Sequence, residues 1–146
     1  PQCQFLAITK ESKPVWLSTA NANRRNIFSH QDFSHFIVIA SDQKNNDKFS
    51  QVPVYFEIAF EEGDIFYWDF RKNLTSSLQK FADLRDVYPQ SVKLPNGTIM
   101  RQPNGYYPNG VKFAVKLPML ENTGTGRFTI LAKDMAGNFC EYKSAR

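Results

Sequence analysis

The chain has 146 residues with 13 Phe, 6 Tyr and 2 Trp, enough bulky, strand-favouring side chains to bury one sizeable core, and it reads as a single domain over 1–146. Its formal charge of +4 is modest and its basic residues are dispersed (Arg24 and Arg25, Arg71 and Lys72, Lys112 and Lys116, Lys143 and Arg146), which argues against a nucleic-acid platform. No apolar run approaches the roughly 18 residues of a membrane-spanning helix. The start at Pro1, without an initiator Met, reads as a processed mature protein or an excised domain.

In chain order, Gln2 to Thr9 reads as an opening strand and Val15 to Ser18 as a short second one. Residues 19–34 lack clean periodicity and are rich in Asn, Ser and Arg, as in a long connection. Phe36-Ile37-Val38-Ile39-Ala40 is a continuous apolar run of the length of a buried central strand, and the polar segment Ser41 to Ser50 reads as a surface turn. From Pro53 the pattern alternates: Val54, Phe56, Ile58 and Phe60 inwards, Tyr55, Glu57 and Ala59 outwards. Glu61-Glu62-Gly63-Asp64 then turns the chain into a strand over Ile65 to Phe70.

One segment carries a helical period. Between Asn73 and Tyr88, the residues Leu74, Leu78, Phe81, Ala82, Leu84 and Tyr88 share one side at about 3.6 residues per turn, and Pro89 supplies the stop. Such a helix would cap an open end of the core or form a groove for a partner. Three copies of Pro-Asn-Gly follow, at 95–97, 103–105 and 108–110, each suited to a tight turn. Their uneven spacing excludes a solenoid repeat. They predict a hairpin with arms Thr98 to Gln102 and Val111 to Leu117, whose stiff tip presents Tyr106 and Tyr107. In the second arm Val111, Phe113, Val115 and Leu117 alternate with Lys112, Ala114 and Lys116, predicting a half-buried strand with a wet, basic outer face.

The chain ends in a strand, a tight turn and a final strand over Arg127 to Cys140, with Phe128, Ile130 and Ala132 pointing one way. Asp134 and Asn138 can bond nearby backbone, and Gly137 permits a positive φ. With Ala132, Asp134, Ala136, Gly137 and Asn138 in place, this hairpin resembles the last two strands of extracellular immunoglobulin-like and fibronectin-like sandwich modules, in which A-x-D-x-A-G-N recurs. The resemblance covers only this hairpin. It implies a mostly β fold, an immunoglobulin-like antiparallel β-sandwich with one inserted helix at about 73–88. An α+β arrangement is the alternative. It also implies a secreted, periplasmic or cell-surface location.

In a sandwich the first and last strands often run close together, so Cys3 and Cys140 are expected to form a disulfide, in keeping with an oxidising compartment. Two buried free thiols are the other reading. Their spacing does not suit a metal site. His30 and His35, five residues apart, fit neither one strand face nor a helical zinc pair, and neither a nucleophile elbow nor a P-loop or dinucleotide fingerprint occurs. Glu57 with Asp69 can be nominated as an acidic pair, but any β-protein offers such pairs. The oxygen-rich segments Asp42 to Asp47 and Glu61 to Asp64 read as solvated turns rather than calcium loops, so no metal or cofactor is expected. The sequons at Asn73 and Asn96 would matter only in a eukaryotic secretory pathway. These readings converge on a non-catalytic interaction or adhesion module with an extracellular protein partner. The alternative is a carbohydrate-binding module stacking sugars on Trp68, Tyr106 and Tyr107, followed by a secreted enzyme.

Overall fold

The computed structural model describes residues 2–18, 32–41, 53–69, 89–101 and 112–144, and among these residues the chain forms ten strands. The strands are β1 (Gln2–Thr9), β2 (Pro14–Leu17), β3 (Phe33–Ser41), β4 (Tyr55–Phe60), β5 (Ile65–Asp69), β6 (Ser91–Lys93), β7 (Ile99–Arg101), β8 (Phe113–Pro118), β9 (Phe128–Lys133) and β10 (Phe139–Lys143). They form a first sheet in the order β2-β1-β3-β8, a second in the order β10-β9-β4-β5, and a two-stranded β6-β7 ribbon. All the pairings are antiparallel. The two larger sheets pack face to face as a β-sandwich.

The principal core lies between them. The first sheet contributes Phe5, Ala7, Phe36, Val38, Ala40, Val115 and Leu117, and the second Phe56, Ile58, Phe60, Trp68, Phe128, Ile130, Ala132 and Tyr142. Of the expected inward set, Phe56 and Ile58 are fully buried and Phe60 is 3% exposed, while Val54, just before β4, is only partly buried. Phe128 packs against Phe36, Phe60 and Tyr142, with ring centroids 5.0, 5.4 and 6.0 Å away. A disulfide joins Cys3 of β1 to Cys140 of β10 and so ties one sheet to the other, with Cα atoms 6.1 Å apart.

A second apolar cluster lies on the other side of the first sheet. Leu6, Ile37, Ile39 and Ala114 face away from the sandwich interior and gather with Val92 of β6, and Leu94 and Met100 pack against them. The ribbon is therefore a third layer, and β3 is buried on both faces. That is why residues 36–40 read as an unbroken apolar run rather than an alternation.

This layer corrects two expectations. Residues 99–101 pair with Ser91–Lys93, not with the strand that begins at Phe113, which pairs with β3 instead. The first Pro-Asn-Gly is the cause. Leu94 N–H donates to the Thr98 carbonyl at 2.8 Å, Gly97 N–H to Leu94 at 2.9 Å, and Gly97 takes a φ of 89°. The turn thus pairs 99–101 with the segment just before it. The outer face of β8 is likewise not uniformly wet, since Ala114 is 1% exposed under the ribbon and Lys116 is only partly exposed. The helix predicted over 73–88, the tip carrying Tyr106 and Tyr107, and His30 lie outside the described residues.

The last turn forms as its residues imply. Asp134 Oδ1 accepts from the N–H groups of Ala136 and Asn138, each at 2.9 Å, while Oδ2 accepts from Asn138 Nδ2 at 3.2 Å. Gly137 has a φ of 89°. The acidic turn between β4 and β5 is also structural. Asp64 Oδ2 accepts from Asn122 N–H at 3.1 Å, and the Glu61 carbonyl accepts from Thr125 N–H at 3.1 Å.

Candidate functional site

Strand parity determines what the second sheet offers to its surroundings. On β4, Tyr55, Glu57 and Ala59 point away from the core. Register places Asp69, Tyr67 and Ile65 beside them on β5, and Lys133, Leu131 and Thr129 beside them on β9. Beyond β9 stand Phe139, Glu141 and Lys143. Three rows result: Phe139-Lys133-Tyr55-Asp69, Glu141-Leu131-Glu57-Tyr67, and Lys143-Thr129-Ala59-Ile65.

This face gathers exposed apolar groups. The exposed large hydrophobics among the described residues are Ile65 at 62%, Tyr67 at 51%, Ile99 at 61%, Met135 at 66% and Phe139 at 57%. Ile65, Tyr67 and Phe139 all belong to the rows above, and Met135 stands in the turn that leads into β10.

Its middle is organised around Tyr55. The Tyr55 and Tyr67 rings are nearly parallel, 15° apart, with centroids separated by 5.9 Å. Lys133 Nζ lies 5.2 Å from the centre of the Tyr55 ring, and Tyr55 O–H donates to Glu57 Oε1 at 2.7 Å. Burial first, then the bond to Glu57 and the nearby carboxylates Glu57 and Asp69, push the Tyr55 phenol well above its ordinary pKa. The phenol therefore stays protonated and serves as a donor rather than a base.

Below this cluster the face is hollow. Ala59 bears the smallest of the nine outward-facing side chains on β4, β5 and β9, and a concavity of about 370 Å³ opens there, lined by Ala59, Glu61, Arg127, Thr129, Lys143 and Ser144 among others. Arg127 Nη1 and Glu61 Oε2 are 3.9 Å apart with both side chains half exposed. Lys143 Nζ lies 3.6 Å from Glu141 Oε1.

The residues nominated from sequence fall in different places. Cys3 and Cys140 are paired, so the free-thiol reading is set aside. Trp68 is 5% exposed and sits inside the principal core opposite Phe56, so it offers no indole face to a ligand. Tyr106 and Tyr107 lie outside the described residues. Glu57 and Asp69 share the outer face as diagonal neighbours, but Asp69 is 3% exposed, and Glu57 is engaged by the Tyr55 hydroxyl. His35 is bonded to the adjacent Ser34 hydroxyl, Oγ to Nδ1 at 2.8 Å. Among the described residues no group of three or more His, Cys, Asp or Glu gathers as a metal site, and no helix is long and apolar enough to cross a membrane. Tyr55, Tyr67 and Phe139 are the residues that sequence reasoning did not single out. Their signal was parity, since each sits one residue from an inward-facing neighbour.

No family model, curated protein or solved structure matches the chain.

Proposed function

We propose that this protein is a non-catalytic secreted or cell-surface interaction module, and that it meets a protein partner on the outer face of its second sheet. The observation that carries this reading is the gathering of Ile65, Tyr67 and Phe139, each more than half exposed, on that one face. With Tyr55, Met135 and Arg127 nearby, the face is rich in the aromatic, Met and Arg side chains that favour protein interfaces. The disulfide supports an oxidising, extracytoplasmic compartment. An immunoglobulin-like, fibronectin-like topology is supported by strand order. The chain crosses between sheets from β3 to β4 and again from β8 to β9, with β3 beside β8 and β4 beside β9.

The test is affinity capture from extracellular fractions with the oxidised protein beside its Tyr67→Ala and Phe139→Ala variants. Each substitution is expected to weaken the captured complex by about 1–2 kcal/mol while leaving the melting temperature within a degree or so of the parent. Equal capture by all three proteins would place the contact elsewhere.

One observation favours a second reading, carbohydrate binding. The near-parallel Tyr55 and Tyr67 rings, with Glu57 and Lys133 beside them, could stack and hydrogen-bond a sugar. With Trp68 in the core, that reading rests on Tyr67, and on Tyr106 and Tyr107 as further candidates. A glycan array that responds to the parent but not to Tyr67→Ala would place it first.

A further inference from the structure

We infer that Asn96 is a self-modifying site: it loses ammonia through attack by the Gly97 backbone nitrogen, and the isoaspartate that forms releases the β6-β7 ribbon from the first sheet.

Local sequence and turn geometry combine to single it out. Gly97 has no side chain to shield its nitrogen, and a Cβ placed there would meet nothing within 4 Å, so the attacking atom and water both have room. Asn96, Gly97 and Thr98 are all exposed. Thr98 N–H donates to Asn96 Oδ1 at 2.9 Å. That bond folds the Asn96 side chain back along the Gly97 peptide, and it puts a donor on the oxygen that gathers negative charge as Cγ is attacked. The contact that must open is Gly97 N–H to the Leu94 carbonyl, at 2.9 Å, in an exposed turn between three-residue strands.

The step needs only water. The Gly97 nitrogen gives up its proton and bonds to Asn96 Cγ, the Cγ–Nδ2 bond breaks, and ammonia leaves with that proton. Water then opens the succinimide ring at either carbonyl, giving aspartate or isoaspartate at position 96. The two other asparagines among the described residues lack this combination. Asn122 has the same kind of bond, from Gly124 N–H at 3.1 Å, but β-branched Thr123 follows it. Asn138 precedes Phe139, and its Nδ2, the leaving nitrogen, is held by Asp134 Oδ2 at 3.2 Å.

The two products act differently on the fold. Aspartate leaves the main chain unaltered and keeps an oxygen for Thr98 N–H. Isoaspartate adds a methylene to the main chain inside a turn closed by the Leu94–Gly97 and Leu94–Thr98 bonds. The pairing of Ser91 with Arg101 and of Val92 with Met100 then loses its register, and the apolar cluster around Leu6, Ile37 and Ile39 loses its cover.

The test is timed incubation of the oxidised protein at neutral pH, with a free peptide of residues 94–101 as the clock for the unconstrained reaction. Trypsin releases that same segment, between Lys93 and Arg101, and leaves Asn104 and Asn109, also followed by Gly, in the separate fragment 102–112. Mass spectrometry is expected to show a gain of one mass unit at Asn96 before the free peptide has reacted to completion, and several-fold faster than at Asn122 or Asn138. In an Asn104→Gln, Asn109→Gln background, the isoaspartyl fraction should exchange its amides within 91–101 several-fold faster, while β4 and β9 keep their protection. Asn96→Gln should stay unmodified, and Asn96→Asp should keep the ribbon protected. No conversion at Asn96 when the peptide has fully reacted, or equal conversion at Asn122 or Asn138, would overturn the site. Unchanged exchange in the isoaspartyl fraction, or an equal loss of protection in Asn96→Asp, would overturn the release of the ribbon.

Discussion

Tyr55 and His35 carry titratable groups whose settings shift them in opposite ways. At Tyr55 burial and neighbouring carboxylates both oppose ionisation. At His35 burial comes first and the Lys116 charge second, and together they lower the imidazole from 6.5 to about 4. The folded protein thus keeps His35 neutral, bonded to the Ser34 hydroxyl. Between about 4 and 6.5 the unfolded chain takes up a proton that the folded chain refuses. The resulting stability is fully present above 6.5 and is lost as pH falls towards 4. The urea midpoint should therefore decline from pH 7 to pH 4.5, and His35→Gln, which keeps a polar group beside the Ser34 hydroxyl, should flatten that decline. Parallel pH profiles for the two proteins would show that His35 does not govern this window.

Among the elements, the β6-β7 ribbon behaves as a cover rather than as part of the sandwich. Its three-residue strands have few ladder bonds, so its place depends on apolar contact of Val92, Leu94 and Met100 with the first sheet. Val92→Ala removes two methyl groups from a residue 5% exposed and should cost about 1–2 kcal/mol in urea unfolding. Amide exchange should accelerate most within 91–101, because the sandwich has its own core. A uniform acceleration through β1 to β10 would mean instead that the ribbon and sandwich unfold as one unit. The β4-β5 turn is locked differently, by backbone: Gly124, with a φ of 49°, packs so closely on the Glu61 carbonyl that a side chain there would collide. The acids at 61–64 are thus held in a turn whose carboxylate at Asp64 already caps Asn122.

For the whole molecule, the disulfide is the longest-range constraint. It spans 137 residues and joins a strand of one sheet to an edge strand of the other. Closing so large a loop restricts the unfolded chain and contributes up to about 5 kcal/mol in the chain-entropy account. A Cys3→Ser, Cys140→Ser protein should keep the same far-ultraviolet spectrum in the absence of denaturant and unfold at a markedly lower urea concentration. An unchanged midpoint would indicate that the two sheets are held by their apolar faces alone. Those faces are extensive, since both sheets contribute fully buried aromatic side chains, Phe36 from one and Phe56 from the other.

The sequence by itself determined the elements whose causes are local. The alternation at 55–60, the turn at 134–138 and the opening strand Gln2–Thr9 all follow from period-two patterning and from turn residues that bond their own backbone. It also placed Tyr55 and Glu57 on the outer side of β4. Register across strands lies between residues distant in the chain, and only the tertiary structure decided it. Register set Tyr67 beside Glu57, put Trp68 in the core and brought Arg127 towards Glu61 over the hollow at Ala59. An aromatic residue in a strand with two apolar faces is equally suited to a core or to a surface by composition. Which of the two it becomes depends on the sheet that packs against it, and that choice is made by contacts far from it in sequence.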